Sequence, residues 1–197
     1  EFHLPDLVDK ARQFKVNETH VEAVAGLCDD LFDKLARVHG LKPHWRMYLT
    51  AAAILHDVGE TITPTNHEQH SYYVVKNADF PSMDPWETEF IARLCLHHRG
   101  NQLHDDDLDF IPDGKMAAQR RKAFPKLLAL LRLADALDRN HQGAVRITGA
   151  SIQPKEVILR VRGKGPIDLE LLRVEQKKEL FETIFRRSLR VLAAKQR

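Results

Sequence analysis

The chain has 197 residues, 43% of them hydrophobic and 29% charged, the balance of a folded globular domain and not of a disordered tail. Its 30 Lys and Arg against 28 Asp and Glu leave a net charge of +2, too small to argue by itself for a nucleic-acid or membrane surface. No apolar run approaches the roughly 18–20 residues of a membrane span, and EFHLPDLVDKAR lacks the apolar core of a signal peptide, so the expected location is cytoplasmic.

The first strong pattern spans residues 17–39. Asn17 is placed to cap a helix, Val21, Val24, Cys28, Leu31, Leu35 and Val38 repeat at three-four spacing, and Gly40 stops it. A second helix is predicted from about Pro43 to Val58, with Trp45, Leu49, Ala52 and Ala53 inward and Gly59 at its end. Thr65 or Asn66 opens a third through about Asn77. Asp84-Pro85-Trp86-Glu87 reads as a capping box opening a fourth helix to about His98. Residues 99–116 lack periodicity and read as a surface loop, followed by a helix over 117–140 with Phe124, Leu127, Leu128, Leu131 and Asp135 on one stripe. Beyond Gly143, VRITGASI and EVILRVRG alternate around Gln153-Pro154-Lys155, a predicted hairpin. A last helix over about 168–186 and a short returning strand, SLRVLA, complete the pattern. The expected fold is mainly α, a helical bundle with a small C-terminal antiparallel β hairpin and a terminal helix. Residues 1–143 form its helical part and 144–197 a small α+β annex packed on it as one structural unit. Cys28 and Cys95 read as buried apolar fillers.

Several of these stripes carry an ionisable group where an aliphatic one is expected. His20 precedes Val24 and Leu27, His56 extends Leu49, Ala52 and Ala53, His98 extends Ile91 and Leu94, and Asp135 extends Leu128 and Leu131. Asp57 lies about 100° round the helix from His56, able to face the same cavity. Burying such groups without partners costs several kcal/mol. Taken singly, each reads as an ordinary hydrogen-bonded core residue. Five of them on four helices read as a divalent metal site, whose mixed N/O donors suit Mn, Fe, Ni, Co, Zn or Mg. The lack of a Cys ligand argues against a closed structural zinc site.

The order His20, His56-Asp57, Asp135 resembles the H…HD…D signature of the HD superfamily of metal-dependent phosphohydrolases. The flanks AAAILHDVG, HEQHSYYVVKNADFP, IARLCLHHRG and LLALLRLADALDRN resemble the C-terminal HD domain of the exopolyphosphatase/guanosine pentaphosphate phosphatase (Ppx/GppA) family, a bacterial-type hydrolase family. The resemblance implies an HD-domain bundle in which His20, His56, Asp57 and Asp135 ligate one metal. It implies a second ion at His70 and His98, with Asp57 bridging; His97 is a weaker candidate. His3, His39, His44, His67, His104 and His141 have no such support and are expected at the surface. Full-length members carry their polyphosphate-cleaving site in an N-terminal actin-like domain with Gly-rich phosphate loops, which these residues lack, and residue 1 is Glu, not Met, as in a piece of a longer polypeptide. In members with an eroded HD signature the domain serves dimerisation and polyphosphate holding; here the signature is intact.

The expected chemistry is hydrolysis of a phosphate ester or anhydride of a nucleotide or polyphosphate-like substrate, with one or two divalent metal ions as cofactor. Asp57 and Glu60 are the catalytic candidates, Glu60 as proton carrier or as an exposed helix-end carboxylate. Arg99 and Arg139 are candidates for holding substrate phosphate or for solvated surface. The run Lys115, Arg120, Arg121, Lys122 is able to guide a polyanion or simply to face water. The alternative is a non-catalytic regulatory or dimerisation module, a homodimer that binds polyphosphate or a guanosine alarmone. No membrane or nucleic-acid partner is expected.

Overall fold

A computed structural model describes residues 2–100 and 102–194. Nine α-helices and a three-stranded sheet appear among them. The helices are α1 (Leu4–Gln13), α2 (Glu18–Lys34), α3 (Ala36–His39), α4 (Trp45–Leu55), α5 (His67–Asn77), α6 (Pro85–His97), α7 (Ala117–Leu137), α8 (Asp168–Lys177) and α9 (Glu179–Phe185). The strands are β1 (Val145–Ile152), β2 (Glu156–Gly163) and β3 (Ser188–Ala193).

Local signals account for most boundaries. Asn17 accepts the His20 N–H with its side chain and starts α2. Glu87 accepts the Asp84 N–H at 2.8 Å, so the expected capping box opens α6. Gly40, in the left-handed region, closes α3. Three differences from the pattern have physical causes. Residues 4–13, which the periodicity leaves unassigned, form α1, with Pro5 in its first turn and Leu7 and Ala11 buried against the bundle. The predicted helix over 17–39 breaks at Leu35, whose φ of −103° interrupts the α geometry. The predicted terminal helix divides at Lys178 into α8 and α9.

The bundle is built around α4, where Trp45 and every residue from Tyr48 to Leu55 is buried. Helices α2, α6 and α7 pack against it, α1 covers one side, and α5 lies on α6. Leu49, Leu94 and Leu128 are wholly buried at these contacts; truncating any of them to Ala costs about 2–5 kcal/mol. In the annex β1 and β2 pair antiparallel, as the hairpin reading expects, and β3 returns parallel to β2. The annex packs through β1 on α2 and through α8 and α9 on α7. No helix among the described residues is long and apolar enough to cross a membrane.

These contacts bring helix ends together. His56 follows the last residue of α4, His98 follows α6, and Asp135 and Asp138 close α7, while His20 and His67 stand in the first turns of α2 and α5. Three helix C-termini carry partial negative charge to this end of the bundle, which favours a cation there.

Candidate metal centre

Six side chains meet at that end. His20 Nε2 lies 3.1 Å from Asp135 Oδ1, 3.2 Å from His56 Nε2 and 3.4 Å from Asp57 Oδ2. His56 Nε2 lies 3.3 Å from the same Asp57 oxygen and 3.5 Å from Asp135. The other Asp57 oxygen, Oδ1, is 2.9 Å from His67 Nε2 and 3.4 Å from His98 Nε2. Asp57 therefore divides its two oxygens between two pairs of imidazoles.

Each ring is aimed by its other nitrogen. His56 Nδ1–H donates to the Ala53 carbonyl at 2.6 Å, and His98 Nδ1–H donates to that of Cys95 at 2.5 Å. His67 Nδ1 faces the Pro64 carbonyl at 3.2 Å. His20 Nδ1–H donates to Asp138 Oδ2 at 2.7 Å, and Asp138 is held in turn by the Gly143 N–H. A bond at Nδ1 fixes the tautomer and leaves Nε2 turned into the cluster, the arrangement usual for histidines that ligate a metal. His98 Nε2 is buried with no hydrogen-bond partner. Such an orphan in a buried cluster is costly unless something binds it.

The electrostatics agree with the geometry. Burial disfavours charge on His20, but its hydrogen bonds to Asp135, Asp138 and Asp57 outweigh that and push its pKa up to about 11. Burial is likewise outweighed at His56, pushed up to about 10 by Asp57 and Asp135. Burial opposes ionisation of Asp57 and Asp135 as well, yet the histidines hold both well below the carboxylate range. The carboxylates thus stay ionised beside imidazoles whose proton affinity is raised, and a divalent cation bound there would compete with protons for the same Nε2 atoms.

Gly59 explains how His67 reaches Asp57. A Cβ there would run into the backbone of His67, His70 and Ser71, and the Gly59 N–H donates to Ser71 Oγ at 2.9 Å. The turn after α4 therefore packs directly on the first turn of α5.

Of the residues expected from the sequence, the structure brings together His20, His56, Asp57, His98 and Asp135. It does not bring His70, which is half-buried one turn beyond His67 and has no described contact with the cluster. His67, expected at the surface, is buried and occupies that place. His97 faces Phe124 on the other side of α6. His39, also expected at the surface, is fully buried between the Phe32 carbonyl and the Leu41 N–H, away from the cluster. His141 stacks on His20 with ring centroids 3.7 Å apart. Asp138 had a readable signal, a carboxylate one turn after Asp135; His141, on a left-handed residue of a loop, had none.

A cavity of about 170 Å³ opens on Asp135 and is lined by Arg99, Arg139, His141 and Arg173. Arg99 and Arg139 were expected at phosphate; Arg173, from α8, was not. Glu60 is half-buried, its N–H bonded to the Asp57 carbonyl at 3.0 Å, and its charge acts on His141. The basic run disperses: Arg120 lies over the Trp86 ring and Arg121 binds the Ile111 carbonyl, while Lys115 and Lys122 are exposed.

The family profile described as Ppx/GppA phosphatase, domain III, matches residues 8–171. The chain belongs to the Ppx/GppA phosphatase family. A relative in this family, the guanosine-5'-triphosphate,3'-diphosphate pyrophosphatase of Aeromonas hydrophila, is 27% identical over 135 residues, 68% of this chain. The match covers 26% of that relative's length, so the chain corresponds to about a quarter of it. The Ppx/GppA profile spans every residue of the cluster and ends inside α8, two residues before Arg173.

Proposed function

We propose that this domain is an HD-type, metal-dependent phosphohydrolase acting on a phosphate ester or anhydride, with a nucleotide or polyphosphate-like substrate. The observation that carries the reading is the convergence of four imidazole Nε2 atoms on the Asp57 and Asp135 carboxylates, beside an arginine-lined cavity. The buried orphan at His98 Nε2 and the all-N/O donor set fit a divalent cation.

His20, His56, Asp57 and Asp135 would hold one ion, in the order of the HD signature; Asp57, His67 and His98 would hold a second. When bound, such a cation supplies Lewis acidity, lowering the pKa of water and neutralising phosphoryl charge. The protein's own groups do the rest. Arg99 and Arg139 orient the phosphoryl oxygens through their forked donors. Asp138 keeps His20 in one tautomer and orientation. Glu60 is the carboxylate near His141 that takes up the proton released from water. In this reading the helical part, 1–143, is the metal-binding unit and 144–197 is an annex to it within one structural unit. The annex supplies the far wall of the cavity.

The test is elemental analysis of the purified chain and of Asp57→Ala, with a hydrolysis screen of phosphate compounds in added Mn²⁺. The expected result is one or two ions in the wild type, loss of metal in the variant, and metal-dependent phosphate release that falls at least about 100-fold in it. Metal without turnover would leave a regulatory or dimerisation module that binds polyphosphate or a guanosine alarmone. No metal at all would overturn the proposal.

A further inference from the structure

Three guanidinium groups meet in the cavity beside Asp135, and they come from three separate segments. Arg99 lies in the turn after α6, Arg139 after α7, and Arg173 in α8 of the annex. None of the three makes an ion pair among the described residues. Asp135 is the one carboxylate in the lining, and it is already engaged by His20 and His56. Burial lowers the pKa of Arg173, and the like charges of Arg139 and Arg99 lower it further against the raising effect of the Asp135 carboxylate. Gathering such charges without an anion is unfavourable, and arginine forks match phosphoryl oxygens in charge and geometry.

Helix α8 is anchored to hold this arrangement. Glu170, Arg173 and Lys177 fall at i, i+3 and i+7, on one helix face. Glu170 is buried and accepts from Asn140 Nδ2 at 2.7 Å, which ties down the residue between Arg139 and His141. Lys177 Nζ donates to the Arg99 carbonyl at 3.2 Å. The same face thus fixes both other arginine-bearing segments and places Arg173 between them.

We infer that Arg173 is a specificity-determining residue, the third arm of a clamp that selects a terminal, dianionic phosphoryl group over a phosphodiester. The inference rests on the phosphohydrolase reading and deepens it. At about 170 Å³ the cavity is smaller than the roughly 300 Å³ at which ligand pockets begin to enclose drug-sized molecules. It accommodates a phosphoryl group and leaves a nucleoside outside. A terminal phosphoryl group carries nearly two charges near neutral pH, its second pKa being about 6, and three non-bridging oxygens. A diester carries one charge and two such oxygens, so it loses less when one guanidinium is removed.

The test uses the full chain, inorganic phosphate as a binding probe, and p-nitrophenyl phosphate and bis-p-nitrophenyl phosphate as monoester and diester. Arg173→Gln is expected to weaken phosphate binding, measured by calorimetry on metal-free and Mn²⁺-loaded protein, by about tenfold or more. It should raise KM for the monoester by a similar factor and change diester turnover by less than about threefold. Arg173→Lys, which keeps charge but not the fork, should recover part of both losses. Arg162→Gln, on the exposed face of β2, should change neither. Unchanged phosphate affinity with an unchanged monoester-to-diester preference in Arg173→Gln would overturn the inference. If the wild type hydrolyses neither ester nor any ester or anhydride in the screen of phosphate compounds, the hydrolytic reading fails, and the phosphate titration alone decides the clamp. Weaker binding in Arg173→Gln then upholds it, and equal binding overturns it.

Discussion

His67 Nε2 lies 2.9 Å from Asp57 Oδ1, while His20 and His56 face the other oxygen of the same carboxylate. That division sets Asp57 between two groups of imidazoles and gives His67 the place that the family resemblance assigns to His70. His67→Ala should lower the metal content by about one equivalent and leave the His20 position loaded, because the two groups use different Asp57 oxygens. His70→Ala should retain the full content. Elemental analysis of both variants after dialysis decides the matter; equal losses would show that both histidines serve the site.

Asp138 touches no Nε2 atom of the cluster, yet it holds His20 through Nδ1. Asp138→Asn keeps the size of the side chain and removes its charge. The expected effect is a metal affinity about 10- to 100-fold weaker, with the helical circular dichroism spectrum of the wild type. Competition titration with a chelating dye reads it, and an unchanged affinity would count against the orienting role.

Gly59 is required for close packing and not for an unusual φ. Gly59→Ala would press a methyl group into the backbone of α5. Overpacking of this kind costs about 1–3 kcal/mol, and by displacing His67 it should also weaken metal binding. Gly26, which has open space around it in α2, is the internal control: its change to Ala should stabilise by about 0.5–1 kcal/mol. Urea denaturation of the two variants should shift in opposite directions.

His39 predicts a pH dependence that is separate from the metal centre. Burial, and then the nearby Lys126, lower its pKa against the raising effects of the Phe32 carbonyl and Asp33. Its Nε2–H donates to Phe32 and its Nδ1 accepts from Leu41, so the neutral ring is satisfied. With the folded pKa below the unfolded value of 6.5, the unfolded chain takes up the proton first as pH falls. The stability His39 contributes is therefore complete above about pH 6.5 and declines below it. The difference in unfolding free energy between wild type and His39→Gln should shrink from pH 7.5 to pH 5.5 in metal-free protein. A constant difference would contradict the assignment.

Much of the site was legible because burial leaves a mark on periodicity. His56, His98 and Asp135 each continue an aliphatic stripe, and a polar group at such a position must find a partner in the core. Capping chemistry at Asn17 and Asp84 is equally local, and those helix starts agree with the pattern. His67 and His70 could not be told apart in the same way. Both stand on a half-exposed helix with a weak apolar stripe, and the choice depends on the approach of the Gly59 turn to α5.

The sequence by itself determined the mainly helical class, the hairpin, and which ionisable groups fall on buried helix stripes, since all three follow from spacing along one helix or strand. The tertiary structure alone decided that His67 faces Asp57, that His141 stacks on His20, that Asp138 orients His20 from 118 residues away, and that Arg173 joins Arg99 and Arg139. The reason is physical. Periodicity records which face of an element is buried, whereas the meeting of these side chains depends on how helix ends and the annex are docked, which no local pattern encodes.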